Sequence, residues 1–245
     1  MILIASSFFA VLLITFGMRP WQDMSVFYSL MAIALSVLVV ATVASEFIRG
    51  GRVIAEKTGQ NLMAAMVHLT RRNTRRYGGY IVHVGVVVSI VGIAGAAFNQ
   101  QNEKPLGAGD RMSIGPYTLV GRTYTQDDNP NYSSESAIVD VYKGNAMVAT
   151  MYPERRLFKA SGQTATIVAN RSTLKEDLYL VYAGRNDENG PPIIRAHLNP
   201  LVMWLWLGVY VVIFGTLVAL VPNASAVRLR QPAHAPAAAA AEAGD

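Results

Sequence analysis

Three long apolar segments separated by polar stretches dominate the hydrophobic pattern of this 245-residue chain. They cover residues 24–48, 77–98 and 200–221, and each reaches the ~20 residues that a helix needs to cross a bilayer core. A fourth apolar run, at residues 2–17, is shorter and has no basic residue before it, so it differs from a secretory signal. We expect it to be the end of a truncated helix. Residues 1–48 are then expected to contain two transmembrane helices, and the chain is expected to form an α-helical bundle of about four transmembrane helices.

Residues 99–199 show a different pattern, in which six β-branched or aromatic runs alternate with turn-forming residues. Lys143-Gly144-Asn145 separates two of the runs and predicts a hairpin over residues 139–151, because glycine and asparagine tolerate positive φ. The segment therefore predicts an all-β domain, a sandwich or a small barrel, inserted between two membrane helices. The six runs are 117–123, 137–142, 146–152, 164–169, 178–183 and 193–198.

The composition and the placement of the charged residues predict a membrane topology. Only 15% of the residues are charged, against about 25% in a typical soluble domain. Residues 49–76 hold seven Lys or Arg and a single acid, Glu56, which predicts a basic cytoplasmic loop because short basic loops stay inside. Residues 99–199, with eleven basic and eleven acidic residues, are then periplasmic. The Ala- and Pro-rich residues 222–245 are expected to be a disordered cytoplasmic tail, and the net charge of +5 gives no indication of nucleic-acid binding.

His83 lies inside the apolar segment 77–98, where an ionisable group is costly without a partner and so indicates a candidate functional site. At 100° per residue it shares a helix face with Gly79, which leaves room beside the imidazole. Gly85, Ser89 and Gly92 lie on the opposite face, where small residues permit close approach of a second helix. We expect protein on the His83 side too, because lipid would leave the ring without a partner. The helix alone leaves iron ligation and simple packing equally open.

The rest of the chain offers little other chemistry. It has no cysteine, no glycine-rich phosphate loop and no nucleophile elbow, which excludes the usual classes of soluble enzyme. His68 is expected to be solvated or to pack at the membrane interface, and His197 has no supporting motif. Trp204 and Trp206 are expected to form an aromatic belt at the outer interface.

Four separated motifs, in order along the chain, resemble one known family. Residues 75–85 are Arg-Arg-Tyr-Gly-Gly-Tyr-Ile-Val-His-Val-Gly, residues 151–156 are Met-Tyr-Pro-Glu-Arg-Arg, and residues 177–180 are Asp-Leu-Tyr-Leu. Residues 199–208 are Asn-Pro-Leu-Val-Met-Trp-Leu-Trp-Leu-Gly. Together they resemble the C-terminal part of the CcmF family, the haem-handling membrane proteins of cytochrome c biogenesis in the haem lyase group. The resemblance covers about residues 24–221.

The resemblance implies a cofactor and a function. In the family, a transmembrane histidine of the Tyr-Gly-Gly helix is an axial ligand of a b-type haem, and His83 is the residue here that matches, so the resemblance implies that it binds the iron of haem b. It further implies a component of the cytochrome c haem lyase machinery in the bacterial inner membrane. This component would support covalent attachment of haem to apocytochrome c at the periplasmic face. The implied partners are the N-terminal part of the lyase, a haem chaperone, apocytochrome c and membrane lipid.

The chain also departs from the family pattern. The family's Trp-rich segment, with its Trp-Trp-Asp signature, and a second transmembrane histidine belong to helices that precede the matched part. We therefore expect a fragment or one subunit of a split lyase, inactive as an enzyme alone. Two alternatives remain: a non-catalytic membrane assembly subunit that docks apocytochrome or haem chaperone without its own haem, and an unrelated electron-transfer or transport protein.

Overall fold

The computed structural model of the protein describes residues 24–187 and 190–222. Within these ranges, three helices are long and apolar enough to cross a membrane, namely Met24–Thr58, Thr74–Phe98 and Val202–Leu220. They correspond to the three long apolar segments of the sequence. The apolar run at 2–17 and the tail from residue 223 lie outside the described residues.

The connection between the first two spans is helical over most of its length, although the sequence had suggested only a loop at 49–76. Helix α1, Met24–Thr58, continues beyond the apolar run and through Gly50 and Gly51; the Ala55-Glu56-Lys57 segment that follows consists of good helix formers. Gly59 ends it with φ +68°, and its N–H donates to the carbonyl of Ala55 at 2.8 Å.

Two further helices complete the connection and begin the second span. Asn61 caps helix α2, Leu62–Arg72, by accepting a hydrogen bond from the Ala64 N–H at 2.8 Å. Helix α3, Thr74–Ala94, follows almost directly and ends in the 3₁₀ turn Gly95–Phe98. The last span is helix α4, Val202–Leu220.

Ten antiparallel strands between the second and last spans form a two-sheet sandwich, as predicted. One sheet has the order β1-β10-β9-β8, and the other has the order β2-β3-β4-β6-β7 with β5 also paired to β4. Five of the six predicted runs each fall on one strand, whereas the run 164–169 contains β7 and the first residue of β8, and the predicted hairpin is β4–β5 with Gly144 at φ +61°. The strands are β1 Gln100–Pro105, β2 Arg111–Ile114, β3 Tyr117–Asp128, β4 Tyr132–Lys143, β5 Ala146–Met151, β6 Glu154–Phe158, β7 Thr164–Ile167, β8 Ala169–Ser172, β9 Glu176–Arg185 and β10 Pro192–Pro200.

Alternate side chains of both sheets form one apolar core. Leu119 and Val141 of one sheet and Leu178, Leu180 and Ile194 of the other have no exposed surface. Each such burial contributes about 1.5–3 kcal/mol. The sandwich therefore has its own hydrophobic core.

The sandwich is joined to both neighbouring helices without a linker. Strand β1 begins directly after the 3₁₀ turn and pairs with β10, with Gln100 opposite Leu198. A single residue, Leu201, separates β10 from α4 and adopts φ 63°. The Trp204 indole of α4 donates to the carbonyl of Leu174 at 2.8 Å, so this tryptophan belongs to the junction besides its predicted belt position.

The described residues fall into two compact units. The first contains residues 24–38 and 87–208, with the sandwich, and the second contains residues 39–86 and 209–222. His83 and the basic segment both belong to the second unit.

Candidate functional site around His83

His83 and Gly79, the two residues proposed from the sequence, lie one turn apart on helix α3. The His83 side chain is exposed. A Cβ atom on Gly79 would meet no heavy atom of the described residues within 4 Å. Within the described part of the chain, the space next to Gly79 is therefore open. The protein expected to cover that side is absent from the described residues, so the ring has an open face.

The hydrogen bond of the imidazole fixes its tautomer. Nδ1 of His83 lies 2.7 Å from the carbonyl oxygen of Gly79. A carbonyl oxygen only accepts, so Nδ1 carries a proton, and in a neutral ring the lone pair is then on Nε2. Nε2 has no hydrogen-bond partner among residues 24–187 and 190–222. A neutral imidazole with one nitrogen bonded to a backbone carbonyl is the usual state of a metal-ligating histidine.

The opposite side of α3 packs against α4 through small residues, as the sequence predicted. In the unit that contains His83, a Cβ on Gly78 would lie 2.6 Å from the Ala219 nitrogen, and one on Gly215 would lie 2.7 Å from the Val82 nitrogen. The Thr74 hydroxyl donates to the Val221 carbonyl at 2.6 Å. These contacts hold α4 on one side of α3, away from the exposed imidazole.

In the other unit, the same stripe continues. The Ser89 hydroxyl donates to the Leu205 carbonyl at 3.2 Å, and the Gly92 backbone lies directly against Leu205. Any residue larger than glycine at 92 would have to separate the two helices.

A cluster of aromatic and charged side chains orders the helix before His83. Nε of Arg76 donates to the Tyr80 hydroxyl at 3.1 Å, and its NH2 group forms an ion pair with Glu46 at 3.3 Å. The Phe47 ring packs edge-on against Tyr77 and Tyr80, with centroid distances of 5.0 and 6.2 Å. The cluster fixes α1 against the turns of α3 that precede the histidine.

Sequence reasoning missed Glu46 in this cluster. It lies thirty residues from Arg76 along the chain, and no motif connects the two positions. In the sequence, Arg76 counts only as one of the seven basic residues at 49–76. Its contacts with Glu46 and Tyr80 give it an additional structural role.

The other histidines do not join the site. His68 is exposed on α2, and His197 lies on β10 with its ring 6.0 Å from that of Tyr179. His234 lies outside the described residues. In the described part of the chain, no three His, Cys, Asp or Glu residues are grouped to hold a bare metal ion. A haem differs in this respect, because its porphyrin supplies four ligands and the protein needs to supply only axial ones.

Comparison with known proteins identifies relatives of both parts of the chain. The family described as CcmF C-terminal beta-sandwich matches residues 97–200, which include all ten strands. The cytochrome c-type biogenesis protein CcmF of Pseudomonas aeruginosa is 30% identical over 140 residues, covering 56% of this chain and 21% of the relative. The CcmF protein of Pseudomonas fluorescens is 27% identical over 183 residues, covering 74% of this chain and 27% of the relative.

A solved structure shows the same fold over a longer range. The structure of the cytochrome c haem lyase CcmF matches with a TM-score of 0.54 and 17% identity, covering 90% of this chain and 45% of that chain. At this level of identity the match shows a shared fold. This chain spans only 21% to 27% of the length of the two curated relatives.

Proposed function

We propose that this chain, which is similar to the C-terminal portion of CcmF-type cytochrome c biogenesis proteins, is the haem-binding component of a cytochrome c haem lyase. His83 would be an axial ligand of haem b. The observation that best supports this role is the hydrogen bond between His83 Nδ1 and the Gly79 carbonyl, which leaves Nε2 without a partner among the described residues.

Several features around the ring fit a flat macrocycle. The side chain of His83 is exposed although it lies within a helix long and apolar enough to span a membrane. Gly79 leaves space one turn away. The bond from Nδ1 to the Gly79 carbonyl orients the ring and increases the basicity of Nε2 as an iron ligand. A bound haem b would supply a redox-active iron, and the residues described here would position it.

We further propose which partners complete the site. The open side of His83 would be covered by the N-terminal part of the lyase, in the same chain or as a separate subunit. The sandwich would lie in the periplasm of a bacterial inner membrane, where it meets apocytochrome c and a haem chaperone. This placement rests on the seven basic residues against one acid at 49–76.

The test is the haem content of the complex purified together with the N-terminal part. We expect His83→Ala to remove the reduced-minus-oxidised haem spectrum while the protein stays inserted in the membrane. His68→Ala is the matched control, because His68 is exposed on a different helix, and it should leave the spectrum unchanged. External imidazole should restore haem binding to the alanine variant, since it replaces the missing ligand.

One outcome would favour the alternative. If His83→Ala retains full haem content without added imidazole, the histidine has only a packing role. The bond to Gly79 would then satisfy the ring for structural reasons alone. The chain would act as a non-catalytic assembly subunit that docks apocytochrome or haem chaperone.

A further inference from the structure

A cavity of about 690 Å³ lies among the end of α1, helix α2 and the start of α3, within the unit that contains His83. Each of the three helices contributes one arginine to its lining: Arg49, Arg72 and Arg76. Glu46 is the single acidic residue of the lining. Three positive charges against one negative charge leave a net charge of +2 at the cavity wall.

Two of these arginines are available for a ligand. Glu46 is already paired with Arg76, at 3.3 Å. Neither Arg49 nor Arg72 forms an ion pair within the described ranges. A guanidinium presents parallel N–H donors that match phosphate oxygens. Arg49 and Arg72 therefore offer N–H donors at the cavity that no carboxylate of the described residues accepts, and a phosphate group would supply the acceptor oxygens.

Apart from Asn73, the remaining lining is mainly apolar and includes Val53, Leu69 and Tyr77. Arginines beside apolar side chains suit an amphiphile whose charged group is a phosphate. The apolar run of α1 ends at residue 48, so the lining residues of α1 lie on both sides of this end. That position corresponds to the membrane–water boundary, where basic pockets between helices bind lipid headgroups.

We propose that this cavity binds the phosphate of an anionic phospholipid headgroup. Arg49 and Arg72 hold the phosphate, and Leu69 and Val53 contact the apolar part of the lipid next to it. The site involves neither His83 nor its ligand, so its test is separate from that of haem binding.

The test measures lipid retention by the full chain with native mass spectrometry in mild detergent. Phosphatidylglycerol should remain bound when equimolar phosphatidylcholine dissociates. Arg49→Gln combined with Arg72→Gln should weaken retention about 25-fold, from about fivefold for each positive charge lost near the headgroup. Arg52→Gln combined with Arg75→Gln is the matched control, because these arginines are exposed and absent from the lining. It should bind phosphatidylglycerol as the unmodified chain does.

A second pair of variants distinguishes loss of lipid binding from misfolding. Val53→Glu adds a negative charge to the lining at an exposed position and should abolish retention, whereas Val67→Glu, exposed outside the lining, should not. Equal retention of phosphatidylcholine, or equal loss in the test and control variants, would overturn the proposal. Inorganic phosphate that displaces the lipid at equimolar concentration would overturn the lipid assignment, because the occupant would then be a soluble phosphate.

Discussion

The backbone of Gly78 lies directly against Ala219, since a Cβ atom on Gly78 would come within 2.6 Å of the Ala219 nitrogen. A Cβ atom on its neighbour Gly79 would have no heavy atom of the described residues within 4 Å. Two adjacent glycines therefore have different roles in one helix. Gly78 permits α4 to approach α3, and Gly79 leaves open the space beside His83.

This difference gives matched substitutions at adjacent positions. We expect Gly78→Val to separate α3 from α4 and to lower the thermal unfolding temperature of the protein, because the added atoms meet backbone and not a flexible side chain. Gly79→Val should leave that temperature nearly unchanged. It should instead lower the haem content of the complex with the N-terminal part, because the new methyl groups occupy the space next to the ring. Haem content unaffected by Gly79→Val would contradict the role assigned to that space.

An ion-pair network in the sandwich predicts a dependence of stability on pH. The Glu135 carboxylate accepts hydrogen bonds from Arg185 at 2.6 Å, Tyr182 at 3.0 Å and Gln126 at 3.1 Å. Burial would raise the pKa of Glu135, but the hydrogen bonds from Tyr182, Arg185 and Gln126 outweigh it and hold the pKa below the ordinary 4.5. The ionised group therefore stabilises the fold above pH 4.5, and this contribution is lost as the pH falls through the lower pKa of the folded state.

Thermal unfolding of the full chain between pH 7 and pH 3 measures this contribution. Glu135→Gln should destabilise the protein at neutral pH by about 1–3 kcal/mol, since the buried Arg185 loses its charged acceptor. Its stability should also fall less steeply than that of the unmodified protein as the pH decreases below 4.5. Glu103→Gln is the control, because the Glu103–Arg195 pair is exposed at both ends and contributes little. Parallel curves for Glu135→Gln and the unmodified chain would show that this network does not titrate as described.

The proposed topology is testable because the chain has no cysteine. Cysteines introduced singly at Pro105, the last residue of β1, and at Gly190, between β9 and β10, should react with a membrane-impermeant maleimide added to spheroplasts. A cysteine at Gly59, between α1 and α2, should react only after the membrane is opened, because the basic segment around it is predicted to be cytoplasmic. Reaction of a cysteine at position 59 in intact spheroplasts would contradict the proposed orientation.

The sequence predicted those features that depend on local pattern. The lengths of the apolar segments predicted the three described spans, and the β-branched and aromatic runs predicted strands at six places in the sandwich. Strand β1, Gln100–Pro105, was missed because all six of its residues are exposed and polar. Its pairing with β10 decides its conformation, and such pairing is invisible in a local window.

The candidate site shows the same division between local and distant information. Gly79 and His83 are four residues apart, so helix periodicity alone placed them on one face. The ion pair of Glu46 with Arg76 joins two helices across thirty residues, and one sequence gives no signal for such a contact. The open side of His83 also differed from expectation. Lipid would leave the imidazole without a partner, so protein was expected on that side, and the described residues do not supply it.

That open side predicts how firmly the chain alone holds haem. If His83 ligates haem as proposed, the described residues would contact only one face of the macrocycle, so we expect haem b added to the isolated chain in detergent to be lost during gel filtration. Co-expression with the N-terminal part of a CcmF-type relative should retain it, because buried contacts slow dissociation and stabilise the bound state. The absorbance ratio of haem to protein in the eluted peak measures both cases, and His83→Ala in the co-expressed complex is the control. Equal haem retention with and without the N-terminal part would mean that this chain completes the site by itself.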